Sequence, residues 1–69
     1  MAEGLGNRLR ELRTARDLTQ AALAEVIGVS RKTINTVENG VFIPSTVLAL
    51  KLARALGKPV EAIFSLPEE

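Results

Sequence analysis

Sixty-nine residues make one domain, short enough to bury only about 60% of the surface its unfolded chain exposes. The 46% of hydrophobic residues include two Phe but no Trp or Tyr, so the core is aliphatic; with no Cys and no His, disulfides, thiolate or imidazole metal sites and Cys–His or Ser–His chemistry are excluded, and neither a metal, a cofactor nor an enzymatic activity is expected. Nine Lys and Arg against eight Asp and Glu leave a formal charge of +1, so recognition of a polyanion would have to rest on local arrangement rather than bulk charge. Charges such as Lys51 interrupt the apolar stretches, so no membrane span is expected. Met1 to Arg8 lacks the apolar h-region of a signal peptide, and the cytoplasm is the expected location.

Five helical patterns follow one another, without an internal repeat or linker. The first runs from about Gly6 to Asp17, with Leu5, Leu9 and Leu12 at helical spacing and Arg8, Arg10, Arg13 and Arg16 filling much of the remaining surface. Thr19 then stands where a helix N-cap belongs. Leu23, Val26 and Ile27 give the second helix an i, i+3, i+4 face, and Gly28 stops it. Only Val29 separates that stop from Ser30, a second N-cap, so the two helices must turn sharply into one another.

The third helix spans Ser30 to about Asn39. Ile34 and Val37 form its buried side; Lys32, Asn35, Thr36 and Asn39 lie opposite, with Arg31 at the exposed first turn. Asn39-Gly40 closes it. Pro44-Ser45 opens a fourth helix whose core side is read as Ala49, Leu50, Leu52, Ala53 and Leu56, ending at Gly57. Lys58-Pro59 starts a short fifth helix with Val60, Ile63 and Phe64 as its apolar side. The tail from Ser65 to Glu69 is polar apart from Leu66. The whole chain, 1–69, reads as one domain with its helix-turn-helix at about 19–40.

The stretch TQAALAEVIGVSRKTINTVENG, Thr19 to Gly40, is thus a capped helix, a glycine turn and a second capped helix with Arg, Lys, Asn and Thr on its outer side. Such side chains suit phosphates and base edges, and an α-helix fits the major groove. A plain helical hairpin with a solvated polar face has the same periodicity.

This segment resembles the Cro/repressor-type, or xenobiotic-response-element, helix-turn-helix family, whose signature reads much like T-Q-x-x-L-A-x-x-x-G-V-S-x-x-T-I-x-x-x-E-N-G. Thr19, Gln20, Leu23, Ala24, Gly28, Val29, Ser30, Thr33, Ile34, Glu38, Asn39 and Gly40 stand in its places. The likeness continues into Pro44-Ser45, the Ala-Leu-rich fourth helix and Val60 to Leu66. It implies an all-α, compact five-helix, lambda-repressor-like domain that binds double-stranded DNA, with a palindromic operator and a homodimer expected.

The resemblance assigns roles by position. Gln20 matches a residue that meets the DNA backbone at a helix N-terminus, and Asn39 one that meets phosphate after the recognition helix. Arg31, Lys32 and Thr36 occupy base-reading places, although Arg31 and Lys32 suit phosphates equally well. Asn35 can read adenine or stand at the periphery. Thr19, Ser30 and Thr33 are near enough for phosphate, while capping alone would explain Ser30. Arg13 and Glu38 match a partly buried ion pair that fixes the recognition helix against the first. Two departures stand out: Asp17 occupies a frequent glycine position, and Val41, Phe42 and Ile43 replace a loop that often carries Lys. Phe42 is expected to plug the core rather than touch DNA.

Val47, Leu48, Ile63, Phe64 and Leu66 appear as surplus apolar surface, so a dimer interface is expected over about residues 45–66. The leading expectation is a promoter-binding repressor. An antitoxin or restriction-controller type of DNA-binding protein is the second, and a protein-interaction module that has lost DNA binding the third. Arg31 and Lys32 argue against the last.

Overall fold

The computed structural model describes residues 4–67. The first three residues and the final Glu68-Glu69 of the tail lie outside it. Among the described residues the chain runs β1 (Gly6–Asn7), α1 (Leu9–Ala15), α2 (Gln20–Ile27), α3 (Arg31–Glu38), α4 (Thr46–Leu56), α5 (Val60–Ile63) and β2 (Phe64–Ser65). None of these helices is long and apolar enough to cross a membrane.

Helix starts follow local chemistry. The hydroxyls of Thr19, Ser30 and Ser45 accept from the amides of Ala22, Thr33 and Leu48 at 3.0, 3.2 and 3.1 Å, so α2, α3 and α4 are each capped by their preceding residue. Such a cap contributes about 1 kcal/mol. Helix ends are equally local. Gly28 takes φ 79 after α2, and the next amide, Val29, returns to the Ala24 carbonyl at 3.0 Å. A side chain in that conformation is strained, which explains the glycine. Asp17 makes the same turn after α1 at φ 58, with Leu18 N–H donating to the Arg13 carbonyl. Asp tolerates this left-handed geometry better than most residues.

The first helix is shorter than its periodicity suggests. Gly6 and Asn7 leave the helix to pair antiparallel with Ser65 and Phe64, and Arg8 N–H donates to the Ile63 carbonyl at 2.8 Å. A pairing 59 positions distant along the chain, between Gly6 and Ser65, outweighs local helix propensity at this end. It also ties the two ends of the described chain together.

Among the described residues eleven apolar side chains form the core, Leu9, Leu23, Ile34, Leu52 and Leu56 having no solvent exposure. Each fully buried Leu or Ile contributes about 1.5–3 kcal/mol. The core corrects several expectations. On α2 it takes Leu23, Ala24 and Ile27, whereas Val26 is exposed, because the stripe facing α3 and α4 is i, i+1, i+4. On α4 it takes Leu48, Leu52 and Leu56, one residue every turn, leaving Leu50 and Val47 in solvent. Leu48, Ile63 and Phe64 are thereby spent inside the monomer and cannot form the bulk of a dimer contact. Val47 and Leu66 remain exposed.

Phe42 does not plug the core. Val41 N–H and Phe42 N–H both donate to the Thr36 carbonyl, at 2.9 and 3.2 Å. The loop is folded back over the end of α3, and the ring is left 47% exposed. Phe64 fills the interior beside it, and both rings line a small cleft with Leu5, Val37 and Pro44.

Candidate nucleic-acid interface

Ile34 and Val37 pin one side of α3 into the core, which presents the other side outward. Arg31 and Lys32 occupy its exposed first turn and join none of the ion pairs among the described residues. No acidic residue stands in the first turn of α2 or α3. A helix N-terminus carries partial positive charge, so two cations placed there are locally unfavourable by a few tenths of a kcal/mol or more each. Folding does not reward that arrangement. An anion would, since free amides and two cationic side chains then converge on it.

Other side chains of α3 are partly committed. Ser30 Oγ and Thr33 Oγ1 lie 2.9 Å apart. The Thr36 hydroxyl donates back to the Lys32 and Thr33 carbonyls, both at 3.0 Å. Its proton is used within the helix, and its methyl is the group left for an apolar contact. Asn39 Nδ2 donates to Asn35 Oδ1 at 3.3 Å, so these two amides act together at the helix end.

Glu38 organises the junction of α1, α2 and α3. Its side chain has no solvent exposure. Arg13 Nε donates to Oε2 at 2.6 Å and Arg13 Nη2 to Oε1 at 3.3 Å. Gln20 Nε2 donates to Oε1 at 3.0 Å. Arg13 Nη1 reaches the Leu18 carbonyl at 2.7 Å, which fixes the guanidinium from a second direction. Burial alone would push the Glu38 carboxyl upward. The hydrogen bonds from Arg13 and Gln20, the Arg13 charge and a further contact from Arg10 outweigh it and hold the group below the ordinary carboxylate range. Among the described residues no buried side-chain nitrogen or oxygen lacks a partner.

The structure therefore brings Arg13, Gln20 and Glu38 together, sets Asn39 beside them, and places Arg31 and Lys32 at the opposite end of α3. Thr19 is exposed at the start of α2. Gln20, expected from its position to face outward toward phosphate, is also bonded to Glu38. Arg10 and Arg16, expected on a solvated surface, also have partners. Arg10 instead approaches Glu38 Oε1 and Asn39 Oδ1, each at 3.4 Å, and Arg16 Nη1 donates to the Leu56 carbonyl at 3.1 Å. The i, i+3 spacing of Arg10 and Arg13 was the available signal for the first of these. Asn7, also unassigned, joins α1 to α3: its Nδ2 donates to the Val37 carbonyl and its Oδ1 accepts from Leu9 N–H, both at 3.1 Å.

Comparison with known proteins follows the same segment. A helix-turn-helix family model matches residues 9–63. The chain is 40% identical over 63 residues to the uncharacterised HTH-type transcriptional regulator YgzD of Bacillus subtilis, covering 91% of this chain and 96% of that one. It is 48% identical over 62 residues to an uncharacterised HTH-type transcriptional regulator of Methanothermobacter thermautotrophicus, covering 88% and 90%. Among solved structures, the restriction-modification controller protein C.AhdI from Aeromonas hydrophila is similar with a TM-score of 0.76 at 45% identity, covering 80% of this chain and 83% of that one. With both helices, the turn and the helices around them matched, the chain belongs to the Cro/repressor-type helix-turn-helix family of DNA-binding transcriptional regulators, which are not enzymes.

Proposed function

We propose that this chain is a homodimeric transcriptional repressor that inserts α3 into the major groove of a palindromic operator. The supporting observation is the unneutralised pair Arg31 and Lys32 at the N-terminus of a helix whose opposite side is fixed by Ile34 and Val37. Arg31 and Lys32 carry the donors that suit guanine acceptors, and Thr36 offers a methyl to thymine. Asn35 stands behind them, coupled to Asn39. Gln20 and Asn39 hold flanking phosphates, with Thr19, Ser30 and Thr33 close to the same backbone; they set register and carry no sequence information. The cytoplasm, where such an operator is accessible, is the proposed location.

The proposed dimer uses the outer surface of α4. Val47 and Leu50, with Ile43 from the preceding loop and Leu66 from the tail, are exposed large apolar residues, and removal from water favours a second copy. Two copies related by a two-fold axis would present their α3 helices about 34–36 Å apart, one turn of DNA. Selection of bound sequences from a random duplex pool tests the reading directly. Enrichment of an inverted repeat with that spacing is the expected result; no enrichment over the input pool would reject it.

The likeness to C.AhdI, at 45% identity, supports a second reading, in which the same DNA-binding surface serves as a restriction-modification controller. The two readings share an operator and differ in the genes beside it.

A further inference from the structure

We propose that Arg10 is an additional phosphate-binding residue, through which α1 joins the DNA interface. The inference rests on the reading of this chain as a DNA-binding protein and assigns a contact outside the helix-turn-helix itself.

Charge is unbalanced at the corner of α1 and α3. Glu38 supplies one negative charge, and Arg13 satisfies it through two hydrogen bonds at 2.6 and 3.3 Å. Gln20 takes a further position on Oε1. Arg10 comes third, with Nε 3.4 Å from the same Oε1 and Nη2 3.4 Å from Asn39 Oδ1. Two guanidiniums thus share one carboxylate, and a positive charge is left over. The side chain that carries it outward is Arg10, which is 62% exposed against 10% for Arg13. Its neighbour Arg8 differs, being paired with Glu11 at 3.0 Å. Glu11, which lines a surface cleft together with Arg10, Glu38 and Asn39, is therefore already occupied.

Position completes the case. Gln20 and Asn39 are the side chains proposed to hold phosphates on either side of α3. Arg10 lies within hydrogen-bond distance of Asn39 and meets the same carboxylate oxygen as Gln20. A phosphate seated on Asn39 is consequently within reach of the Arg10 guanidinium. An exposed contact of 3.4 Å contributes little to stability, whereas a guanidinium on phosphate makes short, charge-assisted bonds in a fork geometry that suits it. Releasing Arg10 leaves Glu38 neutralised by Arg13. The exchange is favourable on both sides.

The experiment measures DNA affinity against salt for the unsubstituted protein, Arg10→Gln and Arg10→Lys, on the selected operator and on single-base variants of it. For Arg10→Gln the slope of log K against log salt should become shallower by about 0.9 per protomer. Equivalently, the affinity lost between about 50 and 200 mM salt should shrink roughly threefold to fourfold per protomer. All DNA sequences should be affected alike, and the thermal midpoint should stay near that of the unsubstituted chain. Arg10→Lys, retaining the charge, should preserve the slope. An unchanged slope in Arg10→Gln, or a loss confined to particular bases, would overturn the assignment of Arg10 while leaving DNA binding intact. Failure of the unsubstituted chain to bind any duplex would overturn both readings.

Discussion

Arg13 Nε lies 2.6 Å from Glu38 Oε2, joining the middle of α1 to the last residue of α3 with both side chains withdrawn from solvent. Helix α3 is thereby clamped at its C-terminal end by a charge pair and along its inner side by Ile34 and Val37. A buried pair is weak evidence of net stabilisation, since desolvation offsets much of its attraction. Its consequence is directional: Glu38 has few alternatives to this geometry.

Arg13→Ala should therefore destabilise the fold by about 3–5 kcal/mol, because it strands the Glu38 carboxylate. A double-mutant cycle with Glu38→Gln separates this coupling from loss of packing. The two changes should be non-additive by about 1 kcal/mol or more in urea unfolding. Additivity within about 0.5 kcal/mol would mean that the pair does not hold α3.

Acid should act on the same residue. The Glu38 carboxyl is held below its ordinary value by Arg13, Gln20 and Arg10 against the opposing effect of burial. A carboxyl depressed in the folded state stabilises fully above its unfolded value of about 4.3, and that contribution disappears as pH falls through the folded value. Stability should be insensitive to Glu38 between about pH 6 and 8 and should decline below about pH 5. Thermal unfolding of Glu38→Gln should show a shallower acid decline, on a lower plateau. Glu11, lowered by Arg8 but fully exposed, serves as the comparison: Glu11→Gln should change the profile far less.

Much of this architecture is legible in the sequence because its determinants are local. Thr19, Ser30 and Ser45 cap the helices they precede, and Gly28 and Gly57 close α2 and α4 in left-handed conformations. The family resemblance assigns Arg13 and Glu38 to one ion pair, and the two side chains lie 2.6 Å apart. What escaped was set by tertiary contact. Periodicity favoured Val26 and Leu50 over Ala24 and Leu48, but the angle at which neighbouring elements meet the helix decides which of two adjacent residues is covered. The Gly6–Asn7 strand could not be read from either end alone, since its partner is Phe64–Ser65. Gln20 and Arg10 converge on Glu38 across gaps of 18 and 28 positions; the i, i+3 spacing of Arg10 and Arg13 hints at the second, and no local pattern signals the first.

The two apolar classes on α4 can be separated experimentally. Leu50→Glu and Val47→Glu alter exposed positions, so each should fold with a thermal midpoint close to that of the unsubstituted chain. In sedimentation equilibrium at micromolar concentration both should run as monomers, whereas the unsubstituted chain should run as a dimer. Leu48→Glu, by contrast, buries a charge in the core and should unfold the domain. A Leu50→Glu, Val47→Glu double variant that still dimerises would place the interface elsewhere.

The final prediction concerns the division of labour along α3 and its flanks. Arg31 and Lys32 stand exposed at the first turn, and Asn39 at the other end. Gln20 is unsuited as the phosphate test, because Gln20→Ala also removes a donor from the buried Glu38 oxygen. Asn39→Ala leaves the Arg13–Glu38 pair untouched and removes, besides the backbone contact, only the exposed side-chain contacts to Asn35 and Arg10 at 3.3 and 3.4 Å. On the selected operator, Arg31→Ala or Lys32→Ala should lower affinity by about 1–3 kcal/mol and relax preference at one position in each half-site. Asn39→Ala should weaken the operator and its single-base variants by similar factors, since phosphates are common to all sequences. The ranking of variants is the quantity to compare. Should it survive both Arg31→Ala and Lys32→Ala unchanged, these cations would belong with Asn39 as backbone contacts. Specificity would then fall to Thr36, through its methyl, to Asn35, or to the deformability of the operator itself.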